Sequence, residues 1–186
     1  DGIYSVMLGS DNYVSHDLAL YLDNSIPNFA NRMNQKAKEI GAYNSNFVNP
    51  HGYHNPNHYT TAKDLALIAN YAFDNSTFRQ IASSQNHTLK RYNRPNNPIY
   101  FEHTVQLLNP KSAFYNSNSI GGKTGFHTPA GRCLVAAANK DDMEIIGVVL
   151  KSNSYNFFND MNLLFDYGFK NFYLERKQNG KVPDVN

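Results

Sequence analysis

The chain has 186 residues, of which 41% are hydrophobic and 17% charged, and its formal net charge is +2 with histidine neutral. This apolar content suffices for a domain core, while so small a charge argues against a nucleic-acid partner or an anionic-membrane surface. No stretch approaches the ~20 apolar residues that a membrane-spanning helix needs. The single cysteine excludes an internal disulfide. We therefore expect a globular protein.

Helical patterns dominate the first half of the chain. An apolar segment, 3–8, precedes the polar triplet Ser10-Asp11-Asn12, and the spacing of apolar residues predicts a helix over 15–22. A second helix is predicted over 29–40, with Gly41 just beyond its C-terminal cap. The triplet therefore lies between an apolar segment and a helix.

A loop is predicted over 46–59, because Asn49-Pro50-His51-Gly52 and Asn55-Pro56 are turn sequences. Thr60 or Thr61 then caps a further helix with Leu65, Ile68, Ala69 and Ala72 on its apolar face. Asp64 falls in the first turn of this helix, where the helix dipole favours a carboxylate.

Strand patterns dominate the second half. A short exposed strand is predicted within 86–97, and three further strands over 120–124, 131–139 and 143–152. The short connection 140–142 indicates an antiparallel hairpin. A closing helix carries Phe157, Phe158, Met161, Leu164, Phe165 and Phe169. Helices first and a strand meander later predict the α+β class, with an antiparallel sheet covered by helices.

Two polar groupings are candidates for chemistry. Ser10-Asp11-Asn12 alone is typical of a helix cap, and Lys123-Thr124-Gly125 alone is an ordinary exposed strand end. Together they could form a site, because a strand lysine beside a hydroxyl can hold a carboxylate and glycine allows a close backbone approach. A serine and an asparagine opposite could relay a proton and orient an amide.

A third grouping is the histidine-rich loop with His51, His54 and His58. This spacing in a loop with two prolines is not a helical zinc site, so we expect no metal and no cofactor. We expect His51 to anchor the loop and the other two histidines to be solvated. Cys133 has no CxxC partner, so we expect a buried, inert thiol.

On these motifs, the chain resembles the penicillin-binding D-alanyl-D-alanine carboxypeptidases, serine peptidases that trim the terminal D-Ala from peptidoglycan stem peptides. Ser10-Asp11-Asn12 is similar to the family's Ser-x-Asn element, and 33–41 to the helix after it. The run 47–64 is similar to its signature loop, and 122–150 to its Lys-Thr-Gly strand and meander. The resemblance implies a serine β-lactamase and DD-peptidase-like fold.

The resemblance also implies roles for five residues. Ser10 would belong to the proton-transfer network, Asn12 would bond the substrate amide, and Lys123 would supply positive charge. Thr124 and Gly125 would bind the carboxylate and backbone of a D-Ala-D-Ala end, and β-lactams would bind there too. The family works outside the cytoplasmic membrane, which implies an extracytoplasmic location at the cell envelope or in secreted form.

The family's nucleophile is the serine of a Ser-x-x-Lys box, and the 186 residues contain no such box. We therefore interpret 1–186 as a partial catalytic domain without the N-terminal strands and the nucleophile helix. The chain alone is predicted to be inactive, since acyl transfer needs a nucleophile and its base together. We further expect a complementary N-terminal segment, or self-association, to cover the apolar surface and sheet edge left open.

Two other interpretations stay open at this point. In one, the chain is a catalytically inactive module that binds muropeptide or a protein partner at the same carboxylate site. In the other, the histidine loop serves a metal-dependent peptidase.

Overall fold

The computed structural model describes residues 1–153 and 156–175. Its α-helices are α1 (Gly2–Gly9), α2 (Asn12–Asp23), α3 (Ile26–Glu39), α4 (Ala62–Phe73), α5 (Ser76–Ala82) and α6 (Phe157–Asn171). Its strands are β1 (Asn86–Leu89), β2 (Ile99–Glu102), β3 (Ser119–His127), β4 (Gly131–Lys140) and β5 (Met143–Ser152), and a 3-10 helix covers Gln106–Leu108. This order of elements confirms the predicted α+β class.

The main sheet is an antiparallel meander in the order β3-β4-β5. Asp141 and Asp142 form the turn between β4 and β5, and both have positive φ, 52° and 67°. Two such residues in succession match the twist of a tight hairpin, and aspartate tolerates this backbone region better than most residues. The predicted hairpin is therefore confirmed.

Alternation along the central strand β4 places the core on both faces of this sheet. One face of β4 is buried against aromatic residues of α6 and leucines of the 3-10 helix. The strand residues on this face are Leu134, Ala136 and Ala138. Ala137 points the other way, into a cluster with residues of α1, α4 and α5 such as Leu8. Side chains on a strand alternate between faces, so a run of apolar residues on β4 fits a sheet covered by helices on both sides.

Three elements, α1, α5 and β2, go beyond the sequence prediction. The apolar segment near the N-terminus is α1, a helix that buries Leu8 completely. Helix α5 was not predicted, although Asn75 caps it by accepting a hydrogen bond from the Phe78 N–H. The exposed strand predicted within 86–97 is β1, which pairs with β2, a strand that the sequence pattern did not indicate.

Within the described ranges, no helix is both long and apolar enough to cross a membrane.

Candidate active site

The fold brings the two motifs into direct contact across 113 residues of sequence. Lys123 Nζ lies 2.5 Å from Ser10 Oγ and donates a second hydrogen bond to the Thr124 carbonyl at 2.7 Å. Ser10 comes from the α1–α2 junction and Lys123 from β3, an edge strand of the main sheet. The side chains of the two motifs, predicted above to form one site, therefore lie together in the structure.

The junction between α1 and α2 orients Ser10 towards β3. It has a left-handed backbone conformation (φ 51°, ψ 42°) at the C-terminus of α1. Asp11 caps α2, accepting from the Val14 N–H at 3.0 Å and from the Ser5 hydroxyl at 2.9 Å. The helix-cap interpretation of the triplet is thus correct for Asp11, which leaves the Ser10 hydroxyl free to contact Lys123. Asn12 is the first residue of α2 and is half-buried.

A glycine lets β3 approach α5. Gly121 has a φ of +143°, and a Cβ at this position would lie 2.8 Å from the Ala82 carbonyl oxygen at the end of α5. A side chain would therefore push the strand away from the helix. The ladder between β3 and β4 also shifts register between Ser119 and Gly121. These features set the position of β3, and with it that of Lys123.

Burial lowers the pKa of Lys123 to about 8, because the charged ammonium is poorly hydrated at this position. A lysine with such a pKa exchanges a proton more readily near neutral pH than an exposed lysine does. The Lys123–Ser10 pair is therefore chemically suited to proton transfer as well as to attracting an anion.

Thr124 and Gly125 continue the site along β3. Thr124 is half-buried and Gly125 is exposed, so the strand backbone is accessible beside Lys123. Thr124 Oγ1 lies 2.6 Å from Thr104 Oγ1, a hydrogen bond in which either hydroxyl can donate. Thr104 could not be identified from the sequence, because nothing in its local pattern distinguishes it from an ordinary loop threonine.

His103 was also missed, and it holds the segment that carries Thr104. Its side chain is 5% exposed; Nε2 lies 3.1 Å from the Ala82 carbonyl oxygen, and Nδ1 accepts from the Val105 N–H at 3.1 Å. Burial lowers its pKa to about 4; the Ala82 hydrogen bond opposes this shift, and the charge of Lys123 adds to it. Both nitrogens are satisfied only in the neutral ring with the proton on Nε2.

The histidine loop differs from its prediction in one respect. His58 is half-buried and accepts from the Val48 N–H at 3.2 Å, so the expectation that it is solvated was wrong. His51 accepts from the Tyr53 N–H, as a loop anchor should, and His54 is exposed. His54 lies 5.5 Å, ring to ring, from His127 at the end of β3.

Burial lowers the pKa of His58, and the neighbouring His51 and His127 lower it further. In the part of the chain that the structure describes, no three histidine, cysteine or carboxylate side chains are grouped so as to hold a metal ion.

Cys133 is half-buried, so the prediction of a buried thiol was wrong. It lies opposite Gly125 in the ladder, where the exposed end of β3 leaves β4 partly uncovered.

A family model described as D-alanyl-D-alanine carboxypeptidase (peptidase S11) matches residues 1–154. The chain belongs to this family. It is 32% identical over 171 residues to the D-alanyl-D-alanine carboxypeptidase DacA of Haemophilus influenzae, and 33% identical over 145 residues to a D-alanyl-D-alanine carboxypeptidase of Streptomyces strain K15. These matches cover 90% and 77% of the chain but 40% and 49% of the relatives, so the chain spans less than half of either.

Solved structures confirm the DD-peptidase-like fold. The chain superposes on a single-residue mutant of the Streptomyces K15 DD-transpeptidase with a TM-score of 0.83 and 30% identity, covering 91% of this chain and 67% of that one. A D-alanyl-D-alanine carboxypeptidase from Mycobacterium tuberculosis gives a TM-score of 0.80 at 23% identity, with 91% and 63% covered. The latter likeness concerns the fold alone.

Proposed function

We propose that this chain forms the substrate-holding half of a serine D-Ala-D-Ala carboxypeptidase that removes the terminal D-Ala from peptidoglycan stem peptides outside the cytoplasmic membrane. The observation that carries the proposal is the contact between Lys123 Nζ and Ser10 Oγ at 2.5 Å. This contact joins the two family motifs into one polar site on an accessible strand. The family membership of the chain supports the same reaction class.

Each motif residue has a task that its position allows. Lys123 and Thr124 attract the terminal carboxylate, and the exposed backbone at Gly125 pairs with the extended end of the peptide. Asn12 orients the substrate amide. Ser10 and Lys123 pass a proton to the departing D-Ala nitrogen, which a lysine of lowered pKa does readily. β-Lactams, which carry a carboxylate and an amide, would occupy the same place.

The nucleophile in this proposal comes from outside the 186 residues, from a complementary N-terminal segment of the same protein or from another chain. Among the described residues, no strand pairs with β5 on the side away from β4, so a further strand could be added along that edge. An apolar groove of about 530 Å³ follows that edge. Its lining includes Ala62, Ala66, Ile146, Val148, Leu164 and Tyr167. A strand added at this edge would satisfy the backbone and cover the groove.

The test adds a nucleophile-bearing segment to the chain. A segment with a Ser-x-x-Lys box, taken from one of the relatives, is fused or added to the chain, and the intact mass is measured after incubation with a β-lactam. We expect a one-to-one adduct on the added serine, and none on the chain alone. Lys123→Gln should slow acylation about a hundredfold, the usual cost of losing a proton-transfer group. Lys111→Gln, at an exposed lysine, is the matched control.

Three results would count against the proposal. An adduct on the chain alone would mean that Ser10 or another residue is the nucleophile. An unchanged rate in Lys123→Gln would remove that residue from the reaction. Binding of a D-Ala-D-Ala peptide without any acylation in the complemented form would favour the non-catalytic muropeptide-binding module.

A further inference from the structure

We propose that Thr104 is a second hydroxyl of the carboxylate-binding site and determines its preference for a free C-terminal acid. This inference rests on the proposed function, since it deepens the description of the same site. Its starting point is the pair formed by Thr104 Oγ1 and Thr124 Oγ1, 2.6 Å apart, although the two residues lie 20 positions apart in sequence.

One of the two hydroxyl protons of this pair is not used between the two threonines. Each threonine hydroxyl has one proton, and in a two-hydroxyl contact one of them is used between the partners while the other points outward. An arriving carboxylate, which only accepts hydrogen bonds, can take the outward proton and, after rotation of the second hydroxyl, both. Because Lys123 Nζ bonds the Thr124 carbonyl at 2.7 Å, a positive charge lies beside this donor pair. Hydrogen bonds to a charged acceptor are the stronger kind.

The backbone that carries Thr104 is fixed, whereas its side chain is exposed. The His103 N–H donates to the Gln85 carbonyl at 2.9 Å, and the His103 ring bonds Ala82 and Val105 on either side. Thr104 itself is exposed, between the buried residues His103 and Val105. An exposed hydroxyl on a rigid segment loses little entropy when it binds a ligand. The arrangement therefore suits recognition better than it suits stability.

The donor groups of this site should distinguish a peptide acid from its carboxamide. A peptide ending in D-Ala-D-Ala with a free carboxylate accepts from both hydroxyls, while its C-terminal carboxamide brings its own donor and no charge. The hydroxyl pair and Lys123 together should therefore favour the acid, and loss of the Thr104 hydroxyl should reduce this preference without abolishing binding of the amide.

The experiment compares affinities of an N-acylated D-Ala-D-Ala peptide and its carboxamide for the full chain by NMR titration. We expect the wild type to prefer the acid and Thr104→Val to weaken acid binding about tenfold, with amide binding unchanged. Thr104→Ser, which retains a hydroxyl, should stay near the wild type. Thr88→Val, at an exposed threonine of β1, is the matched control, and thermal unfolding of each variant checks the fold.

The two proposals fail differently. A wild type that does not distinguish acid from amide would overturn the carboxylate site of the proposed function, and this inference with it. A wild type that prefers the acid, together with a folded Thr104→Val variant of unchanged preference, would overturn the role of Thr104 alone. Equal losses in Thr104→Val and Thr104→Ser would show that the hydroxyl is not the determining group.

Discussion

His103 is a single residue whose protonation should make the fold sensitive to acid. Burial lowers its folded-state pKa to about 4, against 6.5 for an unperturbed histidine. Between those values the unfolded chain binds more protons than the folded chain, so acidification destabilises the fold. The contribution of neutral His103 to the free energy of unfolding is complete above pH 6.5 and is lost as the pH falls towards 4. The loss amounts to about 3 kcal/mol, since each pKa unit corresponds to roughly one and a third kcal/mol.

Urea unfolding between pH 7 and pH 4 measures this loss. His103→Gln cannot titrate, so we expect it to be less stable than the wild type at pH 7 but to show a flatter decline on acidification. His54→Gln, at an exposed histidine, should reproduce the wild-type slope. An unchanged slope in His103→Gln would assign the acid sensitivity to other groups.

Part of the site could be predicted from the sequence, residue by residue. Ser10, Lys123, Thr124 and Gly125 could be proposed because each belongs to a short motif whose residue types have a known chemical use. Thr104 and His103 could not, because their roles depend on which groups face them after folding. The burial of His58 was misjudged for the same reason, because its Nδ1 accepts a hydrogen bond from the Val48 N–H across the loop.

The loop between α3 and α4 shows how one buried carboxylate fixes an element. Asp64 is 1% exposed and accepts hydrogen bonds from the Asn44 N–H and the Ser45 hydroxyl, both at 2.7 Å. Its burial acts to raise the pKa of this carboxyl, but the hydrogen bonds from Ser45, Asn44 and Thr61 outweigh that effect and lower it. Asp64 is therefore charged at neutral pH and holds the start of the loop to α4.

We expect Asp64→Ala to lower the thermal unfolding temperature and to speed amide exchange at Asn44, because two donors lose their acceptor. Hydrogen exchange followed by mass spectrometry would locate the change. Asp166→Asn, at an exposed carboxylate of α6, is the control and should leave both quantities unaltered. Slow exchange at Asn44 in Asp64→Ala would mean that the loop is held elsewhere, for example by Asn34, which exchanges two hydrogen bonds with the Phe47 backbone.

Elements with a clear period were predictable, and those without one were not. The meander followed from alternation and the two aspartates of its turn, and α3 from its regular apolar spacing. Helix α1 is apolar on several sides, since residues 3–8 are almost all apolar, so periodicity could not separate it from a strand. Strand β2 is four residues long and mostly exposed, and depends on pairing with β1 for its conformation.

On the scale of the whole molecule, the edge of β5 that has no strand partner among the described residues should make the chain associate with itself. Leu164 and Tyr167 of α6 line the adjoining groove and are 43% and 62% exposed. Exposed apolar surface next to unpaired strand groups favours edge-to-edge pairing. We expect the sedimentation coefficient to rise with protein concentration.

The double variant Leu164→Lys, Tyr167→Lys should suppress this association without unfolding the chain, because neither side chain is buried. Tyr21→Lys, at a tyrosine of α2 that is 84% exposed, is the control. A complementary segment added in excess should also return the chain to the monomer-sized species. Concentration-independent sedimentation of the wild type would contradict the prediction.

The Ser10–Lys123 contact has a consequence for how the site comes into being. Closing a loop of 113 residues costs about 4 kcal/mol of chain entropy by the logarithmic rule, whereas one hydrogen bond to a charged group returns about 1.5–3 kcal/mol. The contact cannot assemble itself. It depends instead on the packing of the sheet and helices, which brings β3 and the α1–α2 junction together. Its geometry is thus set by the packing of the core, so substitutions at either residue should affect the chemistry of the site more than the fold.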